Sequence, residues 1–532
     1  MQMTARPATR PPAADPVPAA APRQARLAGH AGLGLIALAV VLMAVIGLLG
    51  PSAAVPDVGG DGPPWSLRAA PADLAVLVLC WTVVIAGGLG LAVALGGLRR
   101  GWRPPRGLIP VAAVLAVAVL AVLPPAGSTD VLNYAVYGRI AALGHDPYVT
   151  TPAWLHEIAD PVGRYAPLAW RHAPSVYGPL ATWAQAAAAT LGGGTMAGTV
   201  LLLKLLTAGA FLLTALMLDR LAGPGRERRL RVHLLWTLNP LMLWHVVLGG
   251  HVDGLGAALL VAALLALGRG GVAAGLAAGV LLGAAAAVKA PFILAGAGLA
   301  WAARRSPATL LALGMGAGTA LLAAYATQGP EALSNLLGKI GAHSLADPWR
   351  VITDAMGLGV QSSVLEGRLA LAAGILIAVL LCLGLPPGPA GSHPRMPAGA
   401  AAALAPITGD GRGVPSLGQA AVRPALAWCL GWLLTSPVGH PWYDAMVFPL
   451  LALMPAGRLD GLTAARGVVT GLIYLPGAVG VLTPAAFTQW IFEVYRPWVA
   501  PLAADLIIIC VVGLAVAGAF RHRARARGGG AA

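Results

Sequence analysis

The sequence has little charge and little cysteine. Only 10% of its 532 residues are Asp, Glu, Lys or Arg, against 58% hydrophobic, too few polar groups to cover one core in water. An ordinary soluble globular protein is excluded. Cys80, Cys382, Cys429 and Cys510 all lie inside apolar runs, with no CxxC and no Cys/His ligand spacing. That excludes a disulfide scaffold and predicts four reduced thiols at lipid depth. A nucleic-acid partner is excluded as well, because the formal charge of +15 is spread over short loops instead of forming a basic domain.

What is abundant is apolar sequence. A helix needs about 20 mostly apolar residues to cross a bilayer, and runs near 32–50, 73–97, 107–125, 196–218, 232–249 and onward read as spans. The pattern predicts an all-α polytopic membrane protein of about 12–14 transmembrane helices. Residues 1–30, rich in Pro, Ala and Arg, read as a disordered cytoplasmic tail, and the first run reads as retained. Residues 31–385 form the main membrane region, 386–421 a low-complexity cytoplasmic linker, 422–520 a C-terminal membrane region and 521–532 a basic cytoplasmic tail.

Arginines assign the sides. Arg99, Arg100, Arg103 and Arg106 follow the second run and Arg6, Arg10, Arg23 and Arg26 precede the first, so both segments are expected in the cytoplasm and the loop 126–195 outside. Segment 177–194 is apolar enough to span, yet crossing there would place the arginines of 219–231 outside. It is therefore expected to lie in the interface or re-enter, which brings Arg304, Arg305, Arg458 and Arg466 to the cytoplasmic side. The polar motifs GGHVDG (249–254), VKAPF (288–292), 331–350 and SPVGHPWYD (436–444) then emerge together outside. Lys204 sits within a run, where a lysine more often packs or snorkels than binds a ligand.

The external loop opens with STDVLNYAVYGRIAALGHDPY, from Ser128 to Tyr148. As a helix over 130–143, it places Asp130, Asn133, Tyr134 and Tyr137 on one stripe and Val131, Leu132, Ala135, Val136 and Leu143 opposite. Such a helix is expected to lie along the outer membrane surface, with Ser128 or Thr129 as cap and Gly144 as terminator. Arg139 falls on the apolar side, its stem in lipid and its guanidinium toward a phosphate. Two readings of the stripe remain: an N-terminal cap with belt aromatics, or a carboxylate facing a site.

The patches TDVLNYAVYGRIAALGHDPY, SVYGPLATW, LNPLMLWHVVLGGHVDGL and SPVGHPWYDAMVFPLLAL, spread over most of the membrane region, resemble the actinobacterial polyprenol-phosphate-mannose-dependent alpha-1,6-mannosyltransferases. These belong to the GT-C class of membrane glycosyltransferases. The resemblance implies a GT-C-like bundle with juxtamembrane helices in the first large external loop. It also implies a plasma-membrane enzyme with its active site outward, taking mannose from a polyprenyl-phosphate-mannose donor to a growing mannan or lipomannan acceptor. The class carries an acidic residue in that loop, and Asp130 is the one that matches. No Asp/Glu pair adjoins it, the next acids being Asp146, Glu157 and Asp160, so no cofactor is assigned and a divalent metal is left open.

Sugar transfer to a hydroxyl calls for a base, cations for the departing phosphate, and a flat surface for the sugar. Asp130 is the candidate base. Arg139, Lys289, Arg350 and Arg171 are the candidate cations, and Tyr134, Tyr137, His251, Asp253, His440, Trp442 and Tyr443 the candidate sugar or acceptor contacts. Asp253 is equally placed to cap the helix that follows it. His343 and Asp347 are weaker candidates for an acceptor groove. Competing readings are a transporter or flippase of a lipid-linked substrate, and the same fold acting on another polyprenyl-phosphate sugar.

Overall fold

A computed structural model describes residues 22–60, 62–338, 344–345, 347–357, 363–386, 416–477 and 486–528. Runs of Ala, Leu, Val and Gly form long helices because each apolar side chain costs little rotamer freedom there and the backbone bonds itself. Among the described residues, seven helices are long and apolar enough to cross a membrane: Arg23–Leu49, Asp73–Arg99, Met196–Ala222, Gly271–Val288, Pro307–Ala326, Glu366–Gly384 and Ala486–Ala524. An eighth candidate is broken, Arg226–Leu248 followed by Asp253–Leu267 at 119°. Leucines and isoleucines point outward from these spans, Leu322 at 74% exposure and Ile509 at 66%, as a lipid-facing surface requires.

Against the expected 12–14 spans, seven or eight helices among the described residues are long and apolar enough to cross on their own. Leu108–Ala121, of 14 residues, and Ala290–Ala303 are apolar but too short to count among these. Arg458–Ile473 has 16 residues, and the run near 232 is interrupted by π-helical turns at His233–Thr237 and Leu243–Leu248 around Asn239 and Pro240.

Small residues set the packing. A Cβ added at Gly97 would come within 2.7 Å of the Gly29 backbone, and one at Gly279 within 2.1 Å of the Leu313 carbonyl, so these helix pairs meet backbone to backbone. Two expected boundaries also move. The first helix already begins at Arg23, inside the residues read as a tail, since RQARLAGHA is good helix sequence and Gly29 seats the Trp102 ring. The Leu417–Thr435 helix begins inside the expected linker, behind a capping box of Ser416 and Gln419. The rest of that linker, 387–415, lies outside the described residues, as do 1–21, His343 and the last four residues. All four cysteines are free, Cys510 exposed on its helix.

The ends of the bundle differ in chemistry. At one end Arg103 pairs with Glu227, Arg226 donates to the Pro104 carbonyl, Arg99 reaches the Gly457 carbonyl, and Arg231 grips Asp460 through both oxygens at 2.5 and 2.7 Å. The arginine segments near 100, 226 and 458 therefore meet, as expected. Arg466 does not join them: it is buried within its helix and paired with Asp444. Charge counting along the sequence put it on the cytoplasmic side with Arg458, since nothing in the sequence marks its pairing with Asp444, 22 residues away.

At the other end the loops are knit together. Asn335 Nδ2 donates to the Tyr148 and Ser175 carbonyls, Gly178 N to Val288 O, and Ser344 Oγ to Pro437 O. The Pro179–Leu191 helix lies at this end against Asp130–Ala142, where Gly138 admits the Gln185 backbone. Its 13 residues rise about 20 Å, less than a hydrocarbon core.

Candidate active site

The Asp130–Ala142 helix forms as expected, with Gly144 at φ 83° ending it. It does not lie on lipid. Val131, Leu132, Ala135, Val136 and Ile140 are as buried as Tyr134 and Tyr137, because the helix is covered on both faces by Pro179–Leu191, the start of Met196–Ala222 and the loop residues Leu155 and Val162. Periodicity identified two faces but not what would cover the apolar one.

Neither acid at a helix start is a cap. Thr129 and Val252, the N-cap residues, make no side-chain cap bond, and the Ser128 hydroxyl accepts from Asp130 N at 3.1 Å. Asp253 instead takes two hydrogen bonds from Lys289 Nζ, at 2.9 and 2.8 Å. Asp130 Oδ2 stands 3.7 Å from His251 Nε2. Burial pushes the Asp130 carboxyl up to about 6, with Lys289 pulling it down and Asp253 pushing it further up. Lys289 is drawn below its usual value by burial and supported by Asp253.

Aromatic rings complete the wall. His251 stacks on Trp442 with centroids 4.0 Å apart, His440 stacks on the same indole at 4.7 Å and 4°, and the Lys289 ammonium sits 4.0 Å over the Tyr443 ring. Burial, helped by Lys289, pushes His440 down to about 3, which leaves it neutral. Tyr134 packs edge-on against Tyr177 at 4.8 Å, and Tyr137 donates its hydroxyl to the Ala173 carbonyl. Asn133 Oδ1, His245 Nε2, His251 Nε2 and His440 Nδ1 are buried without a hydrogen-bond partner. Buried polar atoms without a protein partner are open to water or to a polar ligand.

Eight of the expected residues therefore converge: Asp130, Tyr134, His251, Asp253, Lys289, His440, Trp442 and Tyr443, with Tyr137 just behind. Arg139 does not. It is nine residues, two and a half turns, along the helix from Asp130, on the opposite side, and pairs with Asp160 at 2.8 Å. Arg171 lies in the loop 126–195, its carbonyl held by Ala153 N. Arg350 opens the Arg350–Ala355 helix, next to Trp349, whose indole donates to the Thr435 carbonyl at 2.6 Å.

Lys204 is a structural cation. It donates to Leu120 O at 2.9 Å and to Leu123 O, closing the end of Leu108–Ala121. Tyr177 and His245 are site residues the sequence did not single out. Tyr177 lies in SVYGPL, and His245 inside an apolar run where one histidine carries no pattern. Among the described residues no three His, Cys, Asp or Glu side chains converge as a metal site would require.

Comparison with known proteins matches residues 26–305 to the family model described as alpha-(1->6)-mannopyranosyltransferase, N-terminal domain. A probable alpha-(1->6)-mannopyranosyltransferase of Mycolicibacterium smegmatis is 32% identical over 148 residues, 27% of this chain and 26% of its own length. An alpha-(1->6)-mannopyranosyltransferase of Mycobacterium tuberculosis is 30% identical over 136 residues, 26% of this chain and 23% of its own length. The matched region thus spans about a quarter of the length of these curated relatives. Among solved structures, an archaeal oligosaccharyltransferase from Archaeoglobus fulgidus aligns over 77% of this chain and 55% of its own at 13% identity, with a TM-score of 0.34. With more than half of its residues inside the family model, the chain belongs to the alpha-(1->6)-mannopyranosyltransferase family.

Proposed function

We propose that this protein is an inverting membrane glycosyltransferase that moves mannose from a polyprenyl-phosphate donor to a growing alpha-1,6-mannan or lipomannan on the outer face of the plasma membrane. The observation that supports it best is the meeting of Asp130 with the Asp253–Lys289 pair and the ring wall of His251, Trp442 and His440. Each part has a task. Asp130 takes the proton of the attacking hydroxyl as its oxygen bonds to the anomeric carbon. The donor phosphate leaves with the bonding electron pair and meets Lys289, whose ammonium has three hydrogens, two of them given to Asp253. The indole and imidazole faces suit the apolar face of a pyranose.

The phosphate leaves already charged, so no partner acid is called for. Arg350 remains a second candidate for the phosphate, whereas Arg139 is committed to Asp160. The purified full chain, given a panel of polyprenyl-phosphate sugars and a short alpha-1,6-mannoside acceptor, is expected to consume the mannosyl donor and extend the acceptor. Asp130→Asn should fold and bind donor yet lose about 10²–10⁴-fold in kcat. Use of another sugar would revise the donor, and a near-wild-type Asn variant would remove Asp130 as base.

A further inference from the structure

Asp130 must hold a proton once the hydroxyl has attacked, and the side chain facing its carboxylate is His251. This imidazole sits in the break between Leu248 and Asp253, with Nδ1 2.6 Å from the His245 carbonyl. A carbonyl only accepts, so Nδ1 carries the hydrogen, and the neutral ring keeps a lone pair on Nε2. The backbone is built for this contact. A Cβ at Gly249 would come within 2.5 Å of the His245 carbonyl oxygen and 2.8 Å of His251 Nδ1, and Gly250 turns the chain at φ 70°.

Trp442, stacked at 4.0 Å and 19°, fixes the ring plane. The Nε2 atom is buried, has no hydrogen-bond partner and stands 3.7 Å from Asp130 Oδ2. That separation exceeds a hydrogen bond, and a carboxylate has no hydrogen to offer a lone pair. The relation changes when the carboxyl gains a proton.

We propose that His251 is a positioning residue for Asp130: its Nε2 accepts the hydrogen bond of the carboxylic acid that forms when Asp130 takes the acceptor's proton. The inference rests on Asp130 being the base. The acceptor O–H bond breaks as the new glycosidic C–O bond forms, and the bond from the anomeric carbon to the phosphate oxygen breaks with its electrons on phosphate. The proton stays on Asp130, bridged to Nε2 after a small approach, and passes to water when product leaves. A hydrogen bond made only to the protonated carboxyl strengthens the base as the transition state is reached.

Other groups also face the pair. Ser128, the Asp253–Lys289 ion pair and the phenols of Tyr134, Tyr177 and Tyr443 surround Asp130, while the imidazoles of His245 and His440 flank His251. All remain in a His251 variant, so its pH profile isolates the contribution of Nε2. His251→Phe preserves ring volume and the stack on Trp442 but removes the acceptor, whereas His251→Gln retains an acceptor oxygen. The full chain is assayed with polyprenyl-phosphate mannose and a saturating alpha-1,6-mannoside.

His251→Phe is expected to lower kcat about 10-fold at unchanged donor KM, and to shift the acid limb of kcat down by about 0.5–1 pH unit, the equivalent of one hydrogen bond. His251→Gln should fall between it and wild type in both. If His251→Phe does not fold, His251→Met, of similar volume and with no strong acceptor, replaces it. An acid limb that stays in place or moves up, or a Gln variant no closer to wild type than the apolar one, overturns the proposal. Loss of the base reading itself is distinguished by Asp130→Asn, which would then turn over normally whatever His251 does.

Discussion

Lys289 and Asp253 form a closed ion pair, the ammonium 2.9 and 2.8 Å from the two carboxylate oxygens and the carboxylate 1% exposed. A partner removed from such a pair leaves the other charge buried alone, at a cost of about 3–5 kcal/mol, whereas removing both charges is far milder. Lys289→Gln should therefore lose both stability and donor affinity. The Lys289→Gln, Asp253→Asn double variant should regain the stability without the affinity. Thermal unfolding and donor titration separate the two, and a double variant that binds donor normally would free Lys289 of its phosphate role.

The pH dependence follows from Asp130. Its carboxyl, raised to about 6 by burial, works as a base only when ionised. Turnover should thus be full above that value and fall as pH drops through it. A kcat profile whose acid limb lies near 4, the ordinary carboxylate range, would show that another group is titrating.

The ring wall is expected to act on the sugar and not on folding alone. Trp442→Phe should keep a stacking surface for His251 and His440 and lose less than Trp442→Leu, which removes the ring on which both stack. We expect about 2- to 10-fold separation in kcat/KM between the two, equivalent to the 0.5–1.5 kcal/mol of an aromatic contact. Equal activity in both variants would reduce the stack to packing.

Lys204 gives the contrasting case. Lys204→Met leaves the Leu120 and Leu123 carbonyls without their buried donor, and should cost about 2–4 kcal/mol of stability. Donor KM in the folded fraction should not change. A KM effect exceeding the stability effect would move Lys204 into the site.

Much of the site was legible because polar residues are rare in this chain. In GGHVDG, VKAPF and SPVGHPWYD almost every polar side chain stands out from its apolar flanks, and the structure brings His251, Asp253, Lys289, His440, Trp442 and Tyr443 together from them. What failed were inferences that need a partner. The apolar face of Asp130–Ala142 was legible, but whether lipid or the Pro179–Leu191 helix covers it depends on tertiary packing. Arg139 read as a phosphate-binding cation and Arg466 as a cytoplasmic-side marker because Asp160 and Asp444, 21 and 22 residues away, carry no sequence mark of pairing. The expected 12–14 spans exceed the seven or eight full-length helices among the described residues because short and broken helices share the composition of full spans.

The family match ends at residue 305 and contains Asp130, His251, Asp253 and Lys289, but the stacked rings come from residues 440–443, beyond it. On the proposed function, chemistry and shape recognition would be carried by separate stretches of one polypeptide. The two stretches can change at different rates over descent: relatives that retain the acid, the imidazole and the lysine while altering the 440–443 segment would keep the reaction and take a differently shaped sugar.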